Sequence, residues 1–220
     1  KGIRSSRHAH TTTPIGESGL SWSVVERARV MFLNGTSSSG KTTLARALQT
    51  RLADHVFLHF AEDMFFDLLP GHVYDRPDFL THGARLYDGF ARCAATMAAA
   101  GNRVIVDTAA WSPGSLLSFV DAFKETDVVA VGVHCPLDVL EERERQRGDR
   151  SAGLARKQFA LTHENALYDV EVDTARDDLD ACMSEIVTAW LEPGVGEPAF
   201  ARMRTKEWRP RLVPDRVQLL

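Results

Sequence analysis

Residues 32–48 read FLNGTSSSGKTTLARAL. The eight from Gly35 to Thr42 fit the spacing G-x-x-x-x-G-K-[ST]. Glycines at either end of the gap let the backbone curl so that several N–H groups converge on one point. A helix opening at the loop adds its unpaired N-terminal donors and the positive end of its dipole. A loop of this kind holds a polyphosphate. Gly35, Thr36, Ser37, Ser38, Ser39 and Gly40 form the cradle, Lys41 reaches the β- and γ-phosphates, the Thr42 hydroxyl holds Mg²⁺, and Thr43 stands beside it. The bland alternative is a serine-rich turn that caps a helix. Context favours the phosphate loop: RVMFLNG (29–35) reads as a buried strand. KTTLARALQTRLA (41–53) reads as a helix with Leu44, Leu48 and Leu52 on one face.

Further along, short apolar runs alternate with helical stretches. HVFLHF (55–60) is expected as a second strand leading into Asp63, RVIVD (103–107) as a third, DVVAVGVHC (127–135) as a fourth and YDVEVD (168–173) as a fifth. Between them, residues 82–100 read as a long alanine-rich helix that ends at Gly101, and a charged helix runs from about Leu137 to Gln146. A last helix places Leu179, Met183, Ile186, Val187 and Trp190 on one stripe. Alternation of this kind implies a parallel sheet covered on both faces. Ligands then bind beyond the carboxyl ends of the strands, where Gly35, Asp63, Asp107, Cys135 and Asp173 all fall.

Composition narrows the function classes. The chain has 220 residues, 44% hydrophobic and 25% charged, with a formal net charge of −4. That is ordinary for one globular domain and argues against a broad nucleic-acid-binding face. Three cysteines without metal-type spacing read as reduced thiols in a cytoplasm. No apolar run approaches membrane-spanning length. The chain opens on Lys, so a processed start or an expression remnant is expected, and residues 1–27 read as a flexible leader. Residues 28–191 read as the catalytic domain. Residues 192–220, which begin around the turn-like PGVGEP (193–198), form a basic extension: its last 22 residues carry six Arg or Lys against two acidic residues, which leaves −8 for residues 1–198.

The phosphoryl group needs a recipient. No Asn-Lys-x-Asp segment for reading guanine is present, and the chain is short for a mechanical ATPase. A small kinase remains, with ATP as the default nucleotide and a lid that excludes water. ERERQRGDRSAGLARKQ (142–158) is the lid candidate, centred on about 143–156. Arg143 and Arg147 lie one turn apart and Arg150 follows, placed to clamp a transferring phosphoryl group. The alternative is a solvated helix with pairs such as Glu141–Arg145; Arg145 is assigned to the surface. Asp107, ending an apolar strand beside the phosphate loop, fits a Mg²⁺ ligand. Asp63, ending the second strand on the acceptor side, fits the general base. For either, a cap or turn carboxylate is the competing reading. Phe65, Phe66 and Trp111 are candidates for the wall of an apolar acceptor pocket, with Asp107 close by, although aromatics beside a sheet also serve simply as core.

The stretch VGVHCPLDVLEERERQRGDRSAGLARKQFALTHENALYDVEVDT (131–174) resembles the corresponding part of chloramphenicol phosphotransferase. The matching elements are Arg147 to Arg150, Ala152-Gly153, Lys157-Gln158, His163-Glu164 and Tyr168 to Thr174, together with the phosphate loop and the Asp63-to-Pro70 frame. The likeness covers about residues 29–191. It implies a P-loop, nucleoside-monophosphate-kinase-like α/β fold with five parallel strands, helices on both faces and a small Arg-rich lid. It also implies ATP-dependent phosphorylation of an antibiotic hydroxyl, with the catalytic base at Asp63 and phosphate-contacting arginines in the lid. The family pattern has two acidic residues where Asp107-Thr108 stands here, and residues 64–82 match it little beyond the frame. The acceptor stays open between chloramphenicol and another antibiotic. Two other classes stay open as well: a nucleic-acid end kinase gripping through the basic tail, and a non-catalytic nucleotide-binding module whose tail packs on a partner or on a second copy of the chain.

Overall fold

A computed structural model describes residues 30–147, 153–192, 194–205 and 207–208. The leader, residues 148–152 with Arg150, and the end of the tail lie outside the described residues.

Five all-parallel strands make one sheet: β1 (Val30–Asn34), β2 (Phe57–Ala61), β3 (Arg103–Thr108), β4 (Val128–His134) and β5 (Val170–Asp173), in the order β2-β3-β1-β4-β5. From β1 the chain runs to one side of the sheet for β2 and β3, then crosses to the other side for β4 and β5. The switch therefore falls at β1, and a sheet of this type opens its ligand crevice there. The phosphate loop leaves β1 at that point.

The alternation of side chains along the strands separates two cores. Val30 and Phe32 of β1 with Val104 and Val106 of β3 face α3 (Phe79–Ala99) and α4 (Pro113–Ala122), where Phe90, Phe119 and Phe123 are fully buried. Met31, Leu33 and Ile105 face the other way, onto α1 (Lys41–Arg51) and α7 (Leu179–Leu191), and there Leu44, Leu48 and Leu52 lie buried as their spacing predicts. On α7, Cys182, Ile186 and Trp190 are the buried residues. Leu179 is 42% exposed and stands on the rim of the cleft described below, outside the stripe it was expected to extend.

Three boundaries differ from the sequence reading. The long helix begins at Phe79, not 82, and β5 begins at Val170, two residues later than YDVEVD, just after Asp169, whose carboxylate accepts from Ala130 N and Ala199 N. The second strand ends at Ala61, and Asp63 lies in the first turn of a short helix, α2 (Glu62–Phe66). Beyond α7, the tail folds back as α8 (Ala199–Met203). Phe200 sits with its ring centroid 5.1 Å from that of Phe32, and Arg204 donates to the carbonyls of Phe123 and Lys124. This part of the basic extension covers its own core.

Candidate active site

The phosphate loop has the geometry its glycines permit. Gly40, the N-cap of α1, has φ +91°, in the left-handed region. A Cβ on Gly35 would come within 2.5 Å of the Val133 carbonyl oxygen, so the loop fits beside β4 only without a side chain. Lys41 is buried and donates from Nζ to the Thr36 carbonyl at 3.0 Å. The hydroxyls of Ser38 and Ser39 are buried with no hydrogen-bond partner among the described residues. Orphaned donors of this kind suit a ligand rich in oxygen acceptors.

The loop opens into a cleft of about 1730 Å³. Ser37, Ser38, Gly40, Lys41, Thr42 and Thr43 line it, while Gly35, Thr36 and Ser39 lie outside that lining. At its floor, Thr42 donates from Oγ1 to Asp107 Oδ2 at 2.7 Å, and His59 Nε2 lies 3.2 Å from the same oxygen. Burial alone would raise the Asp107 pKa. The His59 contact, the Lys41 charge and the Thr42 hydrogen bond outweigh it and hold the carboxyl below its ordinary value. An ionised carboxylate one hydrogen bond from the phosphate-loop threonine is a hard oxygen pair suited to Mg²⁺.

On the acceptor side, Asp63, Phe66 and Trp111 line the cleft with Tyr74, Phe79 and Tyr87. Phe65 does not. It packs on Phe90, with ring centroids 4.6 Å apart, and belongs to the core. Successive residues on α2 point about 100° apart, so Phe66 can meet Tyr87 at the cleft while Phe65 turns inward.

The lid arginines divide. Arg147 lines the cleft. Arg143 lines it too, but its guanidinium is engaged with Thr174, donating to the carbonyl at 2.9 Å and to Oγ1 at 3.0 Å, with Ser38 O at 3.5 Å. Thr174 in turn donates to the Ser39 carbonyl at 2.7 Å. Arg143 and Thr174 thus brace the outside of the phosphate loop. The expected Glu141–Arg145 pair does not form. Arg145 pairs with Glu142, and Glu141 takes Arg156 in a bidentate contact of 2.6 and 2.9 Å.

Glu144 and Asn34 gave no sequence signal, and Gln158, His163 and Tyr168, marked by the family resemblance, gave none of the partners they take. Glu144, on α5 (Leu137–Arg147), is buried and accepts from Gly153 N and Ala155 N, which fastens the start of α6 (Leu154–Thr162). Gln158 of α6 accepts from Ser37 N at 2.9 Å and so joins the base of the lid to the phosphate loop. Asn34 accepts from Ala110 N and donates to the Thr162 carbonyl and to Tyr168 Oη. Tyr168, having accepted from Asn34, is left to donate to His163 Nδ1, 2.7 Å away. That fixes His163 as a neutral acceptor. Its ring centroid is 4.0 Å from that of His134. Burial chiefly, with the charges of His134 and Lys41, lowers its pKa to about 3 from 6.5.

A testable consequence follows for stability. Between about pH 6.5 and pH 3 the unfolded chain protonates His163 and the folded chain does not, so acidification favours unfolding. Over that window His163 is expected to cost at most about 1.4 kcal/mol per pH unit. Urea melts at pH 7 and pH 5 should show a smaller loss on acidification for His163→Asn than for the unaltered chain. Parallel losses would remove His163 from this role.

Over residues 28–191 the chain matches the family model described as chloramphenicol phosphotransferase-like protein. The chain belongs to that family. Two Mycobacterium tuberculosis proteins, from strains CDC 1551 and H37Rv and both provisionally named O-phosphotransferases, are each 32% identical to it over 169 residues, spanning 66% of this chain and 75% of theirs. Among solved structures, M. tuberculosis APS kinase with AMPPNP and APS superposes with a TM-score of 0.55 at 18% identity, covering 73% of this chain and 96% of the kinase. The Deinococcus radiodurans tunicamycin resistance protein gives 0.55 at 18%, covering 78% of this chain and 100% of the other. These structures share the P-loop kinase fold. As a member of its family, this chloramphenicol phosphotransferase-like chain is a phosphotransferase of the kinase type.

Proposed function

We propose that the chain transfers the γ-phosphoryl group of ATP to a hydroxyl of a small molecule, an antibiotic or a related alcohol, and so inactivates it. One observation carries the reading. One cleft is lined by the phosphate loop, by Thr42 and Asp107, which are hydrogen-bonded to each other, by the Asp63 carboxylate and by the aromatic side chains of Phe66 and Trp111.

Bound MgATP supplies the group transferred: the acceptor's O–P bond forms as the bond to ADP breaks. The chain's own residues do the rest. The loop amides that face the cleft, Lys41 and the Ser38 hydroxyl bind and orient the polyphosphate. Thr42 and Asp107 would hold Mg²⁺, which would offset the negative charge of the polyphosphate. Asp63 takes the proton of the attacking hydroxyl. Phe66 and Trp111 give the acceptor an apolar face. Arg147 adds positive charge where negative charge gathers, and Arg143 steadies the loop through Thr174. Free thiols at Cys93, Cys135 and Cys182 suit the reducing cytoplasm, the compartment this reading assigns.

Incubation with ATP, Mg²⁺ and a panel of hydroxylated antibiotics that includes chloramphenicol is expected to release ADP only with some panel members. ADP release that no panel member raises above the level with water alone would contradict it.

A further inference from the structure

Glu62 immediately precedes Asp63 in the chain, yet its carboxylate faces a different set of groups. It is half-buried at the cleft floor. Oε1 accepts from the Tyr87 hydroxyl at 2.5 Å, and Oε2 accepts from Thr108 Oγ1 at 2.7 Å and from Ala109 N at 2.6 Å. The Tyr87 hydroxyl also hydrogen-bonds the Trp111 side chain and lies 3.2 Å from the Ala109 carbonyl. One carboxylate therefore ties together the start of α2, the middle of α3, the end of β3 and a wall of the acceptor pocket.

We propose that Glu62 is a positioning residue that sets Asp63 and Trp111 against the metal-side carboxylate Asp107. The geometry leaves few alternatives. The N-cap of α2, Ala61, has no side chain to anchor the helix, and α2 is a single short turn. Ala61 is the register partner of Asp107 across the β2–β3 ladder. Past that pair the ladder ends, and the side-chain hydrogen bonds of Glu62 to Thr108 and Ala109, the two residues after Asp107, carry the alignment onward. Asp63 inherits its place from this anchor. The inference rests on Asp63 acting as the base.

A misplacement of about 1 Å at a reacting centre costs on the order of 10²-fold in rate. With chloramphenicol and the other hydroxylated antibiotics as acceptor probes, Glu62→Ala is accordingly expected to lower kcat about 10²-fold, with KM for MgATP within about threefold of the unaltered chain. Glu62→Gln is expected to recover to within about fivefold. Its amide oxygen can still accept from Thr108 and Ala109, and its NH₂ can donate to Tyr87, whose hydroxyl then turns to the Ala109 carbonyl. A residue that acted by its charge, or as a proton acceptor itself, would not be rescued by Gln. Glu62→Gln falling as far as Glu62→Ala, or Glu62→Ala turning over at full rate, would overturn the proposal.

A second readout needs no acceptor. The Ala109 amide should exchange with deuterium faster in Glu62→Ala and stay protected in Glu62→Gln; equal protection in both would also overturn it. A panel with no substrate at all would defeat the function proposed above while leaving this exchange test decisive for the clamp. Should Glu62→Ala fail to fold, Tyr87→Phe removes one donor and keeps the ring, and a kcat loss of about fivefold or more at unchanged MgATP KM is expected. No loss would count against Glu62.

Discussion

Asp63→Asn is expected to lower kcat by about 10²–10⁴-fold while ATP affinity stays within about threefold of the unaltered chain. The amide is nearly isosteric with the carboxylate but cannot take the proton of an attacking hydroxyl. The side chain lines the cleft from the first turn of α2, where it is exposed, and exchanging one oxygen for NH₂ changes its size little. The kcat and KM effects therefore separate. Binding of a fluorescent ATP analogue, measured beside steady-state turnover with a panel antibiotic, checks both. Unchanged turnover would take Asp63 out of the base role, and the positioning role of Glu62 would fall with it.

Lys41→Ala should act on the other half of the reaction. Removing one preorganised donor from developing charge typically costs about 10²–10³-fold in rate, and here ATP affinity should fall as well, because the same ammonium meets the polyphosphate in the ground state. Lys41 is the buried cation of the loop, resting against the Thr36 carbonyl. Arg147 lines the same cleft from the last residue of α5, whereas Lys41 opens α1 at the loop itself. Equilibrium titration with the ATP analogue, followed by single-turnover rates, separates the two losses. Intact affinity and intact rate together would mean that the loop does not hold the nucleotide.

The sheet was legible because buried parallel strands are written as uninterrupted apolar runs, and RVMFLNG, RVIVD and DVVAVGVHC are such runs. The phosphate loop was legible because its chemistry dictates both residue types and spacing. Asp107 could be placed beside Thr42 from these two facts together: a strand that ends next to the loop must present its last carboxylate there. The acceptor side was harder. A single-turn helix such as α2 is too short for a periodic signal, so neither the helical setting of Asp63 nor the inward turn of Phe65 could be read from EDMFF. Glu62, Glu144 and Asn34 gave no signal, and Gln158 and Thr174, although they fall among the elements of the family resemblance, gave no sign of their partners, for another reason. Each works through partners between 9 and 135 positions away in the chain, joined only by the folded sheet and lid. The tail misled through its charge. Its six basic residues suggested a separate grip, whereas Phe200 and Met203, buried on the core, decide where its described part goes.

The central claim is that the terminal phosphoryl group ends on an alcohol. The direct measurement follows that group: ATP labelled in the γ-phosphoryl is incubated with the protein, Mg²⁺ and each hydroxylated antibiotic, and the products are separated by mass. The prediction is label on one antibiotic as a phosphate monoester, one per ADP formed, and none after Asp63→Asn on the same timescale. Label recovered wholly as inorganic phosphate, in equal amount with and without every acceptor, would contradict it.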